Sequence, residues 1–364
     1  MPGPQKPVTQ RSRPVLLAMN AAVAGAAAML AIVLSEIVLR LAGVPVERGP
    51  FTVTMREFDS VPGMYGPGQR LLSLSKPALP HRITINSLGL RGEEIPLEKP
   101  AGEWRVLFFG DSHAFGDYMD DEDAVPAQLQ DSLRRTCAFA RVINAGLSGS
   151  TIVDEFQMLR RTLRLDPDMV VIQFAENDVT DLMRPVWFEL AENRVTKSSF
   201  PMSFIYPAVR STALWRLLLL ARGSLTWPVM PAAQTESAQA EQAILERELR
   251  RRYVEELIGV RDTLQQLKVG FLFSSSPADY TVSGEKGDEL LRWLKGVTDS
   301  LGIPYSSHLD RLLAEFARGT PLFLLPHDNH PNRTGYAIAA GALASRLAPM
   351  CTEFSRQTGV ADAH

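Results

Sequence analysis

The stretch from Arg105 to Gly116, Arg-Val-Leu-Phe-Phe-Gly-Asp-Ser-His-Ala-Phe-Gly, constrains the fold more than any other part of this sequence. Its apolar run stops at Gly-Asp-Ser, which reads as a buried parallel strand ending in a tight turn with a helix to follow. Such a turn lifts a short hydroxyl side chain to the C-terminal edge of a sheet, where α/β folds carry their reactive groups. Ser112 is therefore the first candidate nucleophile.

From residue 104 onward, short apolar runs alternate with helical patterns. Strands are expected at 105–109, 141–144, 169–174, 269–274 and 303–306, and helices at 125–135, 151–163, 241–266, 287–301 and 333–347. That alternation specifies βαβ units, and five strands suit a flavodoxin-like doubly wound parallel α/β sheet. Right-handed crossovers would leave every strand C-terminus on one edge. The third crossover is much longer than a βα unit needs, with an insertion at about 179–240 that holds a hairpin-like piece at 185–190 and a Leu/Trp stretch at 214–220. Insertions beside a strand's C-terminal edge often form lids or substrate walls, although ordinary core packing is the simpler reading of the Leu/Trp stretch.

Residues 15–34 contain one strongly polar side chain, Asn20, and follow a tail with Lys6, Arg11 and Arg13 but no acid. About 20 apolar residues cross a bilayer as a helix. The sequence thus predicts a single transmembrane helix at 14–35, with residues 1–13 cytoplasmic and the remainder on the extracytoplasmic, periplasmic side. Arg40, Arg48 and Arg56 on the far flank oppose that charge asymmetry. A cleaved signal peptide is the rival reading, but its apolar region usually spans only ~7–15 residues.

Residues 36–103 form a Pro- and Gly-rich connector. Within it, 82–86 alternates like a short strand and runs into Ser-Leu-Gly-Leu-Arg-Gly at 87–92, a turn signature. Turn chemistry favours a hairpin that braces the main domain over a functional role for Arg91. A formal net charge of −3 gives no electrostatic footprint for nucleic acid. The two cysteines, Cys137 and Cys351, lack the spacing of a metal site.

Four separated blocks fall at strand C-terminal edges. Ser112 follows the first strand, Asn-Ala-Gly-Leu-Ser-Gly at 144–149 the second, and Ala-Glu-Asn-Asp at 175–178 the third, while Asp-Asn-His-Pro-Asn at 328–332 precedes the last helix. Over about residues 104–348 this set closely resembles the SGNH, or GDSL-type, hydrolase family. The connector also resembles the preamble of membrane-anchored bacterial members.

The resemblance implies Ser112 as nucleophile, Gly149 and Asn177 as oxyanion-hole residues, and His330 as base. Elementary chemistry agrees with each role. A serine hydroxyl needs an adjacent base, and that base can return the proton to the leaving group. The tetrahedral oxyanion needs preorganised donors, supplied by the Ser112 and Gly149 backbone N–H groups and the Asn177 amide.

Two positions depart from the family pattern. Its last block has Asp three residues before His, where this chain has His327; Asp328, two before, is the expected third triad member. Ala175 stands in the third block where Gly is usual. Ser112 as a mere helix cap, Asn177 as a turn residue, and a metal site built on His327, Asp328 and His330 are the competing readings, the last lacking further ligands. His113 reads as a pocket wall rather than a second base, and His81 and His308 as structural or exposed. Cys137 lies past the first helix and Cys351 past the last; in a flavodoxin-like sheet these helices share a face, so a disulfide and two unpaired buried thiols both stay open.

The expected protein is a membrane-anchored serine esterase with a hydrolase-like domain at 104–350 and a C-terminal tail at 351–364. It would act through an acyl-enzyme on an ester-bearing lipid or acylated saccharide, with no metal or organic cofactor. The alternatives are an O-acyltransferase or deacetylase modifying an envelope polysaccharide beside its synthesis machinery, and a catalytically silent envelope scaffold. Fold and triad do not separate these outcomes.

Overall fold

A computed structural model describes residues 13–42, 69–73, 79, 81–183, 212–214 and 236–359. It divides into two units, Met1–Glu47 with Ser203–Val229, and Arg48–Met202 with Met230–His364. The expected hairpin at 185–190 and all of the 214–220 stretch except Leu214 lie outside the described residues.

In the first unit, helix α1 (Arg13–Leu41) runs past the expected end at residue 35. Glu36 and Arg40 explain the extension: they sit one turn apart and pair at 2.6 Å, which supports the last turns. The same Glu36 carboxylate accepts the backbone N–H groups of Ala213 and Leu214 at 2.9 and 3.1 Å. Within Leu17–Leu41 an 18-residue window has a mean hydropathy of 2.3 and no buried share, so this helix is long and apolar enough to cross a membrane.

The second unit begins with an antiparallel pair, β1 (Gln69–Ser73) and β2 (His81–Ile85). Alternate residues of β2 are buried, as its period-two pattern requires. A five-stranded parallel sheet follows, built from β3 (Trp104–Gly110), β4 (Ala140–Asn144), β5 (Met169–Ala175), β6 (Gly270–Ser276) and β7 (Tyr305–Ser306). Its order, β4-β3-β5-β6-β7, is the flavodoxin-like order expected from the sequence.

Helices cover both faces, which is why β3 and β5 read as continuous apolar runs. On one face Val106 and Phe108 pack with α3 (Val125–Arg134) and α10 (Arg333–Thr358). On the other, Leu107 and Phe109 join α4 (Ile152–Thr162), α6 (Glu236–Leu267) and α8 (Glu289–Ser300). Each fully buried Leu or Phe contributes about 1.5–3 kcal/mol relative to exposure, so these two clusters hold the sheet edge rigid beneath the site.

Two further departures from the sequence pattern have a local cause. Strand β7 begins at Tyr305 rather than 303, because Pro304 has no N–H to give the ladder and only accepts, from Phe273 N at 2.9 Å. Helix α10 continues through Pro349 to Thr358, so residues 351–358 are helical and Cys351 lies inside the helix rather than past it. Burial of Leu347 and Cys351 on the α3 side, with the Phe354 ring tilted against Phe139 at 6.3 Å, outweighs the lost N–H. Cys137 and Cys351 are joined as a disulfide, their Cα atoms 6.3 Å apart.

Candidate active site

The sheet edge delivers Ser112 through a turn that only glycine can start. Gly110 has φ +146°, and a Cβ there would lie 2.6 Å from the Gln173 carbonyl oxygen of β5 and 2.7 Å from Ala114 Cβ. The chain then enters a single helical turn, α2 (Ser112–Phe115), capped by Asp111, whose side chain accepts the His113 N–H at 2.9 Å. Gly116 closes it in the left-handed region at φ +88°.

Ser112 meets His330 across 218 residues of sequence, with Oγ 2.7 Å from Nε2. On the other side of the ring, His330 Nδ1 is bonded to Asp328 Oδ1, the same oxygen that accepts the His330 backbone N–H at 2.8 Å. That double contact is an Asx-type turn, in which a short carboxylate bonds the backbone two residues on. It brings Asp328 under the imidazole from a position one residue away from the family's usual place. Leu324 anchors the loop by accepting from His327 N and Asp328 N and donating to the His330 carbonyl at 2.9 Å. Asn332 then caps α10, accepting from Thr334 N and Gly335 N.

The second and third blocks are sewn to the Ser112 turn. Leu147 N–H and the Ser150 hydroxyl both bond the Gly110 carbonyl, at 2.9 and 3.2 Å, and the Asn144 amide bonds the Phe115 carbonyl at 3.1 Å. Gly149, on the intervening turn, has φ +74°, a left-handed backbone that glycine adopts without a Cβ penalty. Asn177 Nδ2 donates to Asp181 Oδ2 at 2.9 Å and lies 3.4 Å from Asp111 Oδ2, while Ser112 Oγ lies 3.3 Å from that same Asp111 oxygen. Asp111 thus ties Ser112, His113 and Asn177 together, a linking role that the motif did not announce.

The environment of each titratable group follows from burial and neighbours. Burial works against the charged form of His330, but the Asp328 bond and charge, with the charges of Asp117 and Asp111, raise its pKa above the ordinary value. His113 is held the other way, lowered to about 4 by burial. Its ring stands 4.9 Å from that of His330 and its Nδ1 is 2.8 Å from Ser276 Oγ at the end of β6. His81 and His308 are both buried rather than exposed. Glu155 and Asp178, beneath the site, have carboxyl pKa values pushed well up by burial and by the charge of Asp111.

Two residues beside His330 carried no signal in the sequence. Tyr118 presents its ring T-shaped to the imidazole at 5.4 Å from a left-handed backbone, φ +64°. Asp117, its neighbour, accepts from the Ser148 hydroxyl at 2.7 Å. Among the described residues, no group of three or more His, Cys, Asp and Glu side chains is placed to hold a metal ion.

The family model described as GDSL-like lipase/acylhydrolase matches residues 108–338. Solved structures similar to this chain include a lipase/acylhydrolase from Enterococcus faecalis, 18% identical, covering 68% of this chain and 96% of that one at a TM-score of 0.37. Another is a catalytic mutant of an acetylxylan esterase from Geobacillus stearothermophilus, 15% identical, covering 72% and 98% at a TM-score of 0.38. Among curated proteins there is no match.

Proposed function

This chain belongs to the GDSL-like lipase/acylhydrolase family, a family of ester-bond hydrolases, and from that premise we propose that it is a membrane-anchored serine esterase working through an acyl-enzyme. The observation that carries this reading is the 2.7 Å contact between Ser112 Oγ and His330 Nε2, with Asp328 bonded behind the ring.

Ser112 Oγ attacks the ester carbonyl as its proton passes to His330 Nε2. Asp328, bonded to Nδ1, fixes the tautomer that leaves Nε2 free to accept and stabilises the imidazolium that forms. The Ser112 and Gly149 N–H groups and the Asn177 amide stabilise the oxyanion. Collapse breaks the ester C–O bond, and the leaving oxygen takes the proton from Nε2 to depart as the alcohol. Water then attacks the acyl-enzyme with His330 again as base, releasing the acid and restoring Ser112.

The apolar α1 supports a membrane anchor, and the basic residues before it support a catalytic unit on the extracytoplasmic side. Treatment of the detergent-solubilised chain with a fluorophosphonate probe tests the mechanism. Covalent mass on the Ser112 peptide, absent from Ser112→Ala, is the expected result; an unlabelled folded protein would refute it. Turnover of an aryl acetate with and without a saccharide acceptor separates hydrolysis from acyl transfer.

A further inference from the structure

The segment preceding β3 reaches the catalytic group through Arg91. Its guanidinium is buried and donates from Nη1 to the carbonyls of Phe115 and Gly116 at 2.8 and 2.7 Å, from Nη2 to that of Met119 at 2.7 Å, and from Nε to Asp121 at 2.9 Å. Strand β2 adds two bonds to the same loop, Arg82 N–H to Asp120 at 2.6 Å and Thr84 N–H to Asp121 at 2.8 Å. The loop's other end is fixed by the Ser112 carbonyl, which accepts from Gly116 N and Asp117 N at 2.9 and 3.0 Å.

That loop holds a backbone that an aromatic residue rarely adopts. Tyr118 at φ +64° persists only where its surroundings over-determine it. Its ring lies between two histidines, T-shaped to His330 at 5.4 Å and to His81 of β2 at 5.8 Å. The groups facing His330 are Asp328 from its own loop, Asp111 and His113 around the nucleophile, and Asp117 and Tyr118 from the clamped loop.

We propose that Arg91 is a positioning residue for His330: by fixing the Phe115, Gly116 and Met119 carbonyls it holds Tyr118 and Asp117 against the imidazole. The hairpin segment is then part of the catalytic apparatus and not only a brace. This rests on the Ser112–His330 reading above. A guanidinium is required because its rigid fork serves three carbonyls and a carboxylate together, whereas a lysine ammonium is a single point charge on a flexible stem.

The test compares Arg91→Lys, Asp117→Asn and the double variant of the full chain in detergent, with an aryl acetate as substrate. At a temperature where both proteins are folded, Arg91→Lys lowers kcat by about 10–100-fold with KM unchanged, the cost of a slightly misplaced catalytic group. The acidic limb of kcat/KM moves to lower pH in both single variants, and the double variant moves it no further, because the two act through the one charge that Asp117 presents to His330. Wild-type kcat and an unmoved limb in a folded Arg91→Lys protein would overturn the proposal, as would additive shifts in the double variant. If Arg91→Lys does not fold, Tyr118→Gly carries the test: glycine accepts φ +64° but lacks the ring, so kcat falls at unchanged melting temperature, and retained kcat overturns the proposal. A wild-type protein unlabelled at Ser112 removes the catalytic reading itself, whereas a silent Arg91→Lys removes only the positioning role.

Discussion

Asp328 accepts two hydrogen bonds from the residue two places after it, one from the His330 backbone N–H at 2.8 Å and one at ring Nδ1. The first shapes the turn and the second orients the imidazole, so one carboxylate oxygen does both. An amide at this position can still accept the backbone bond, but it no longer offers a charge to the imidazolium. Asp328→Asn should therefore fold normally and lose about 10³–10⁴-fold in kcat at similar KM. Steady-state kinetics on an aryl acetate measure this, and a variant keeping a tenth of wild-type kcat would mean that another group orients His330.

The same bond sets the pH dependence. In the proposed mechanism attack needs neutral His330, and its folded pKa is raised because the Asp328 bond and the charges of Asp328, Asp117 and Asp111 outweigh burial. The acidic limb of kcat/KM should therefore have its midpoint above the ordinary histidine value of about 6.5. Asp328→Asn removes the largest raising contribution and should shift that limb downward. His113, lowered to about 4, remains neutral through this range, so His113→Asn should leave a single acidic limb. A limb midpoint below the ordinary value in the wild-type protein would contradict this account.

Much of this arrangement is legible in the sequence because parallel strands buried on both faces are written as uninterrupted apolar runs. Once β3, β4 and β5 are placed, Ser112, Gly149 and Asn177 must fall on one edge. What escapes is set by local backbone geometry with no compositional mark. The Asx-type turn that carries Asp328 beneath His330 cancels a one-residue shift that spacing alone counts against it. Tyr118 occupies a left-handed position where a pattern reader expects glycine. Pro349 looks like a helix end, yet the burial of Cys351 and Leu347 carries α10 past it.

Cys137 and Cys351 stand at the ends of a pairing that links α3 to α10 on one face of the sheet. Their Cα separation of 6.3 Å lies within disulfide reach. In an extracytoplasmic unit the pair should be oxidised, so alkylation of the denatured protein should add no mass until a reductant is supplied. Cys351→Ser should lower stability by about 2–4 kcal/mol in a denaturant titration. Alkylation of both cysteines in unreduced protein purified from membranes would show the thiols to be free.

Glu155 lies on α4 beneath the nucleophile, buried and repelled by Asp111 and Asp154. Burial, followed by those two charges, pushes its carboxyl pKa well above the ordinary value, so the folded protein keeps a proton that the unfolded chain releases. Between the unfolded and folded pKa values the native state therefore binds more protons, and stability falls as pH rises. The slope is about 1.4 kcal/mol per pH unit for each proton retained. Asp178 adds to it in the same sense, its pKa raised first by burial and then by Asp111 and Glu155. Glu155→Gln keeps the shape and carries no proton to lose, so it should stabilise the protein by an amount that grows as pH rises from the unfolded carboxylate pKa toward the raised folded one. Thermal midpoints of both proteins across that range decide the matter: a difference that stays constant with pH would mean that Glu155 is ionised in the folded state.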